Sequence, residues 1–436
     1  MPGSRGRAAC VGIVGPVRIR AALTSLALAA TTLVIPVLVG GSHAAQTATS
    51  RHIAYTSWDT ATDFAAGTSR AVRVVRGKLR LDAPTATARV ARRAYEKGSW
   101  TSPWTTPGFG LTELVPSWDA KSPEGTFVRV QVRARTADGR RSSWDSLGRW
   151  ASGDDQFRRR SQGAQTDDLG RVATDTWVAA GPVAAWQLRV TLHRLSGTRP
   201  SPKVDVAGAV ASSVPSTTSV RTSRPGVARG VVLPVPQLSQ MVHQGHYPAY
   251  GGGGEAWCSP TSTAMVLGYY GAQPTPDETA WVGSHGDRVV DHVARMTFDH
   301  RYDGTGNWPF NTAYAATRTD KAFVTRFGSL RGVERMVKAG IPVVTSLTFG
   351  AGQLTGAPIS STNGHLLVVV GFTAEGDVVV NDPAASTNAG VRRTYDRGQF
   401  ENAWLKRGPA GGSGGIGYVI HDKAHPLPPR AGATSW

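Results

Sequence analysis

Four residues of this 436-residue chain have the types and order that amide-bond hydrolysis needs: Gln240, Cys258, His365 and Asp382. Cys258 is one of two cysteines, the other being Cys10, and it lies in "EAWCSPTSTAMVLGYYG", residues 255–271. Ser259 suits a helix N-cap and Pro260 the first helical position. Met265, Val266, Tyr269 and Tyr270 then share one helical face, and Gly271 can end the helix. A thiol at such a helix start sits in the field of backbone N–H groups that favours the thiolate, the species that attacks a carbonyl carbon.

A thiolate also needs a base, and the base needs an orienting group. Of the 11 histidines, His365 opens the strongly apolar run "GHLLVVVGF". A turn at "AEGD" leads into "VVVNDPA", which reaches Asp382. If the two runs pair as a hairpin, Asp382 comes within a register step of about two or three residues of His365. There it would fix the imidazole tautomer and steady a Cys–His ion pair. Gln240, in the extended and Pro-flanked "LPVPQLSQ", could join the Cys258 backbone N–H as an oxyanion donor; losing one such donor costs on the order of 3 kcal/mol in a barrier. Taken singly, these residues read as a surface glutamine, a strand-edge histidine and an Asp-Pro turn. Their order along the chain, on a helix start, a strand start and a neighbouring strand end, is what points to catalysis.

Together "VPQLSQ", "WCSPTSTAMVLGYYG", "GHLLVVVGF" and "VVVNDPA" resemble the C39-like family of papain-fold cysteine peptidases, its secreted, stand-alone branch in particular, over about residues 231–423. The resemblance implies an α+β papain-like domain with Cys258 as nucleophile, His365 as general base and acid, Asp382 as orienting residue and Gln240 as oxyanion donor. It implies peptide-bond hydrolysis through a thioester, with no cofactor and no metal. Many members have glycine after the cysteine where this chain has Ser259, so a backbone that needed glycine geometry would be strained here. Related domains in bacteriocin exporters cut after a double-glycine leader. This chain shows no P-loop, so that substrate is not carried over.

The rest of the chain must position these groups. Residues 51–210 read as an all-β sandwich-like domain: "RAVRVVRGKLRL", "TFVRVQVRART" and "AWQLRVTLHRL" are strand-like runs separated by turn signals. Val128, Val130, Val132 and Ala134 alternate with Arg129, Gln131, Arg133 and Arg135, predicting one buried and one basic, solvated face. The tryptophans of this region, Trp58, Trp100, Trp104, Trp118, Trp144, Trp150, Trp177 and Trp186, read as core rather than as a sugar platform, and the region resembles the N-terminal part often joined to such peptidases. Residues 211–230 read as a linker or strap, 231–423 as helices followed by an antiparallel sheet, and 424–436 as a frayed Pro-rich tail.

Residues 1–44 carry a basic start, an apolar run and small residues near Ala44 or Ala45, the pattern of a cleaved signal peptide; a retained anchor is the alternative. Export predicts a secreted, extracellular protein, free or associated with the cell wall, with no stable membrane insertion after cleavage. It also explains a cysteine kept out of disulfides, since a bridge would remove the nucleophile. The +18 net charge suits an anionic cell-wall surface, although arginine-rich composition alone can produce it. The charges are scattered without stacking aromatics or a helix-turn-helix, which argues against nucleic acid. Polypeptide and peptidoglycan cross-links are the substrate alternatives, and a wall- or glycan-binding protein with a degenerate peptidase-like domain is the non-enzymatic one. "HGDRVVDHVARMTFDH" gathers His285, Asp287, Asp291, His292 and His300 without a recognised ligand spacing, and reads as a solvated helix rather than a metal site. "DGTGNWPFN" is read as lining the cleft through Trp308 and Phe310 or capping the core, and "AYGGGGEAW" as a mobile gate or connector.

Overall fold

The computed structural model describes residues 50–436, apart from 91, 218 and 409–410. The expected signal segment and Cys10 lie outside the described residues.

Residues 52–213 form two antiparallel sheets, one of eight strands and one of seven. Alternation makes the strands and turns close them: Val72–Val75 and Lys78–Leu81 form a hairpin through Arg76 and Gly77, both at positive φ. Tryptophans join the sheets. Trp58 packs edge-on against Trp100 and Trp186, and Trp150 Nε1 donates to the Ala120 carbonyl across the sandwich at 3.0 Å. Trp177 Nε1 donates to Asp145 Oδ2 at 2.8 Å. Six of the eight tryptophans are therefore core, while Trp104 and Trp144 are only half-buried. These two cover the face expected to be solvated: the Arg133 guanidinium lies 5.0 Å from the Trp104 ring and 4.6 Å from the Trp144 ring, and Arg189 lies 4.2 Å from Trp144. Gln131 on the same strand is buried, accepting from Arg189. The basic face is a stacked arginine–tryptophan layer.

The C-terminal region is built on a six-stranded antiparallel sheet, ordered Lys321–Arg326, Ile416–His421, Val343–Phe349, Thr362–Phe372, Val378–Asn381, Arg392–Tyr395. Helices Cys258–Tyr269, Arg288–Thr297 and Trp308–Ala316 precede it, but Leu330–Lys338 and Arg397–Leu405 are interleaved with the strands, so the order is not simply helices then sheet. The helix Cys258–Tyr269 is buried on every side from Cys258 to Leu267 rather than on one face, because it lies between the sheet and the other helices. Its small polar residues find partners across that packing, Ser262 Oγ donating to the Leu366 carbonyl at 3.1 Å. Gly271, at φ 64°, ends it in a Schellman turn, with Ala272 N donating to the Leu267 carbonyl at 2.8 Å.

The two regions share one continuous apolar core. Phe310, on the helix Trp308–Ala316, packs against Trp118 of one sheet and Trp150 of the other, with centroids 6.1 and 5.6 Å away. The "DGTGNWPFN" segment thus plugs the sandwich with Phe310 instead of presenting that ring to a cleft. Buried Glu113 of the sandwich pairs across the junction with Arg326 at 2.6 Å and with Arg407. Residues 219–230 run as a strap over the C-terminal region: the backbone N–H groups of Ser223 and Gly226 donate to the buried carboxylates of Glu401 and Glu334 at 2.6 and 3.0 Å. The tail is not frayed. Thr434 accepts from Tyr55 N at 2.8 Å, and the Trp436 ring is buried beneath the Arg335 guanidinium, because its indole supplies apolar area that the polyproline stretch lacks.

Candidate functional site

His365 is the fourth residue of the strand Thr362–Phe372, not its first. A bulge against the strand Val343–Phe349 lies beside it, since Leu347 pairs with His365 while Phe349 pairs with Thr362. Such a bulge re-aims the side chains next to it. On the other flank Val368 pairs with Asn381, so Asp382 follows directly on the last residue of its strand. The remaining offset between His365 and Asp382 is spanned by their side chains: His365 Nε2 lies 2.7 Å from Asp382 Oδ1.

Asp382 is fully buried, which by itself pushes its carboxyl upward. The charge and hydrogen bond of His365, the Tyr395 hydroxyl and the Ala384 N–H outweigh that and hold it below the ordinary carboxylate range. Tyr395 donates to Oδ2 at 2.7 Å and Ala384 N to Oδ1 at 3.0 Å. Burial first, and then the adjacent carboxylate, push the Tyr395 hydroxyl far above its usual range, so it stays a donor. Both oxygens of Asp382 are thus engaged and its orientation is locked.

Gln240 reaches the same place by a different route. The segment leading to it lies along the histidine strand, where Leu233 N donates to the Val370 carbonyl at 2.8 Å. Gly371 allows the approach: a Cβ there would sit 2.3 Å from the Val231 carbonyl oxygen. The Asn381 side-chain amide donates to the carbonyls of Val235 and Pro236, and Gln240 N donates to the Pro383 carbonyl at 2.9 Å. The Gln240 side chain is buried, and its Nε2 donates to the Glu255 carbonyl at 2.8 Å. An amide nitrogen has a second hydrogen to offer.

Cys258 is the first residue of its helix, with Trp257 as N-cap and no side-chain cap. The expected cap at Ser259 is displaced inward, and Pro260 falls at the third helical position, where its missing N–H costs nothing. Ser259 is helical, does not lie at positive φ, and places Oγ 2.9 Å from the Tyr418 hydroxyl. Glycine geometry is not needed there, and the expected strain is absent. Cys258 is buried and in no disulfide. The Ser262–Leu366 hydrogen bond, one turn after the cysteine and one residue after the histidine, sets this helix start against the strand bearing His365.

The glycine run before the cysteine forms defined turns. Gly251, Gly252 and Gly253 all have positive φ, and a Cβ at Gly254 would meet the carbonyl oxygens of Gln240 and His243 at 2.4 Å. These glycines let the chain fold tightly beneath Gln240 rather than serving as a gate. Asp291 and His292 overturn the solvated-helix expectation, both being buried. Asp291 lies between His243 and His246, with Oδ2 2.9 Å from His243 Nδ1 and Oδ1 3.0 Å from His246 Nδ1. Sequence reasoning missed His243 and His246, although "HQGH" offered two imidazoles across a Gly-containing turn.

Two family models match the chain: one described as Peptidase C39 N-terminal domain over residues 54–212, and one described as Peptidase_C39 like family over residues 232–411. No curated protein matches it. Among solved structures, one described as "Structural basis for the promiscuous specificity of the carbohydrate-binding modules from the beta-sandwich super family" is 11% identical with a TM-score of 0.17, covering 35% of this chain and 55% of that one. Two more, described as "Structure of infectious bursal disease virus Gt strain" and "Structure of infectious bursal disease virus Gx strain", are 11% and 10% identical with TM-scores of 0.18 and 0.19. Each covers 36% of this chain, and 32% and 33% respectively of its own.

Proposed function

We propose that this chain, whose two regions match C39-like peptidase family models, is an exported cysteine peptidase with a papain-like arrangement of helix and sheet. Its substrate is a polypeptide, cleaved outside the cell. The observation that carries this reading is the buried His365–Asp382 pair at 2.7 Å, on the strand against which the start of the cysteine helix packs. Because Nε2 faces Asp382, Nδ1 is the ring nitrogen that exchanges a proton with the Cys258 sulfur. The thiolate adds to the scissile carbonyl carbon, and the developing oxyanion takes hydrogen bonds from the Cys258 backbone N–H and from Gln240 Nε2. Collapse of the intermediate breaks the C–N bond as the imidazolium gives its proton to the leaving amine, leaving a thioester. Water, deprotonated by His365, then releases the acyl group and restores the thiol. Asp382 stays ionised throughout, orienting the ring and stabilising its charged form.

The test is hydrolysis of an unstructured polypeptide by the purified chain and by Cys258→Ala, with new amino termini counted. Turnover by the wild type and none by Cys258→Ala is expected. Equal turnover by both, or none by either, would overturn the reading. Running the same assay on isolated cell wall distinguishes peptidoglycan cross-links as the substrate.

A further inference from the structure

We propose that His243, His246 and Asp291 form a binding site for a single divalent transition-metal ion of the zinc class, which clips the segment carrying Gln240 and Cys258 to the helix Arg288–Thr297. The three side chains each present one ligand atom, and these atoms lie within 4.8 Å of one another. His243 and Asp291 are completely buried. His243 Nδ1 is 2.9 Å from Asp291 Oδ2, yet neither atom is aligned for a hydrogen bond to the other or to any other described group. Two buried polar atoms this close, with no aligned hydrogen bond between them, are placed to share a third partner. Leaving them so without a third party is costly, because a buried polar group that lacks a partner keeps its full desolvation penalty. A tetrahedral ion with bonds of the usual length separates its ligand atoms by about 3.3 Å. The two imidazole nitrogens lie 2.9 and 3.0 Å from different oxygens of the Asp291 carboxylate, and the three ligand atoms lie within 4.8 Å of one another, so modest side-chain rotation brings them to that spacing.

The local backbone is built for this convergence. His243 to His246 is a turn closed by His246 N donating to the His243 carbonyl at 3.0 Å, with Gly245 at φ 73° in the third position. That is the geometry of a type II turn, which demands glycine there. It sets both imidazoles toward the helix bearing Asp291. Two imidazole nitrogens and one carboxylate oxygen suit zinc and its neighbours, whereas calcium and magnesium prefer all-oxygen sets. A fourth position is left for water.

The site is separate from the His365–Asp382 pair but shares a scaffold with Gln240. His243 N donates to the Gln240 carbonyl at 3.1 Å, and Glu255 accepts both from Gly245 N, through its side chain, and from Gln240 Nε2, through its carbonyl. The helix on the far side is anchored to the sandwich by the two-point Arg295–Asp154 pair. An ion here would join the segment leading to Cys258 to an element already fixed from the other domain.

The experiment is Co²⁺ titration of chelator-dialysed protein, followed by visible d–d absorption, with Zn²⁺ competition and metal analysis. One Co²⁺ per chain, displaced by Zn²⁺, is expected. His246→Ala, the least buried ligand, should fold as judged by circular dichroism and lose about 100-fold or more in affinity; Asp291→Asn should do likewise. Cys258→Ala and His52→Ala should bind as the wild type does. Absence of stoichiometric binding, binding unaffected by His246→Ala, or binding lost in Cys258→Ala would each overturn the site. None of these readouts depends on peptidase activity.

Discussion

Two buried aspartates, one in each region, are treated in opposite ways. Asp382 receives hydrogen bonds from His365, Tyr395 and Ala384 and is held below the ordinary carboxylate range despite its burial. Asp119, in the sandwich, has a buried Oδ1 with no hydrogen-bond partner among the described residues. Burial, reinforced by the nearby charge of Asp205, pushes Asp119 up to about 8. At neutral pH the first is a carboxylate and the second is largely protonated. Burial alone therefore does not decide whether a carboxylate is charged. Donors aimed at the charged form do, and they have been assembled around Asp382 and not around Asp119.

Asp382→Asn tests this contrast with the largest expected effect. The amide keeps the shape but removes the charge and favours the wrong imidazole tautomer, so kcat should fall about 10⁴-fold while the chain stays folded. A drop of less than tenfold in steady-state hydrolysis would place Asp382 outside the machinery. Next comes the junction, where Glu113 is the buried partner of Arg326. Glu113→Ala leaves that guanidinium buried and unpaired and should cost about 3–5 kcal/mol in denaturant unfolding. Phe310→Ala empties the space between Trp118 and Trp150 and should cost a similar ~3–5 kcal/mol. If either loss proves negligible, the sandwich is an appendage rather than part of one core.

The smallest effect is a pH slope. Asp119 has a folded value raised above its unfolded one, so its contribution is complete below about pH 4 and is lost as pH rises through about 8. Asp382 has the opposite sign: its contribution is present above about pH 4 and lost as pH falls through its lowered value. Asp119→Asn should flatten the decline of stability between pH 4 and 8, a slope of at most about 1.36 kcal/mol per pH unit, in melts taken across that range. Asp175, pushed to about 6 by burial, adds a slope of the same sign in the lower part of the window and remains in the variant.

The legible parts of the sequence were those governed by near neighbours. Alternation over Val128–Ala134 marked a strand because side chains at i and i+2 share a face, and Gly271 marked a helix end because few other residues take its φ. The cysteine on a helix, the histidine on a strand and the aspartate just past the end of the neighbouring strand could be read for the same reason. What the alternation did not reveal was register. The bulges beside His365 and at Gly371 decide that the two side chains meet, and they depend on which strands and segments press against the histidine strand from both sides.

Other outcomes belonged to tertiary structure altogether. Phe310 fills the sandwich, Trp436 packs beneath Arg335, and Ser259 finds the Tyr418 hydroxyl; each of these partners lies more than 100 residues away. His243, His246 and Asp291 meet across nearly fifty residues of chain. The sequence by itself determined which elements form and which chemical groups they carry, because those follow from local sterics and periodicity. Only the folded packing decided which groups meet, because a contact between distant segments is selected by the burial and hydrogen bonding of everything around it.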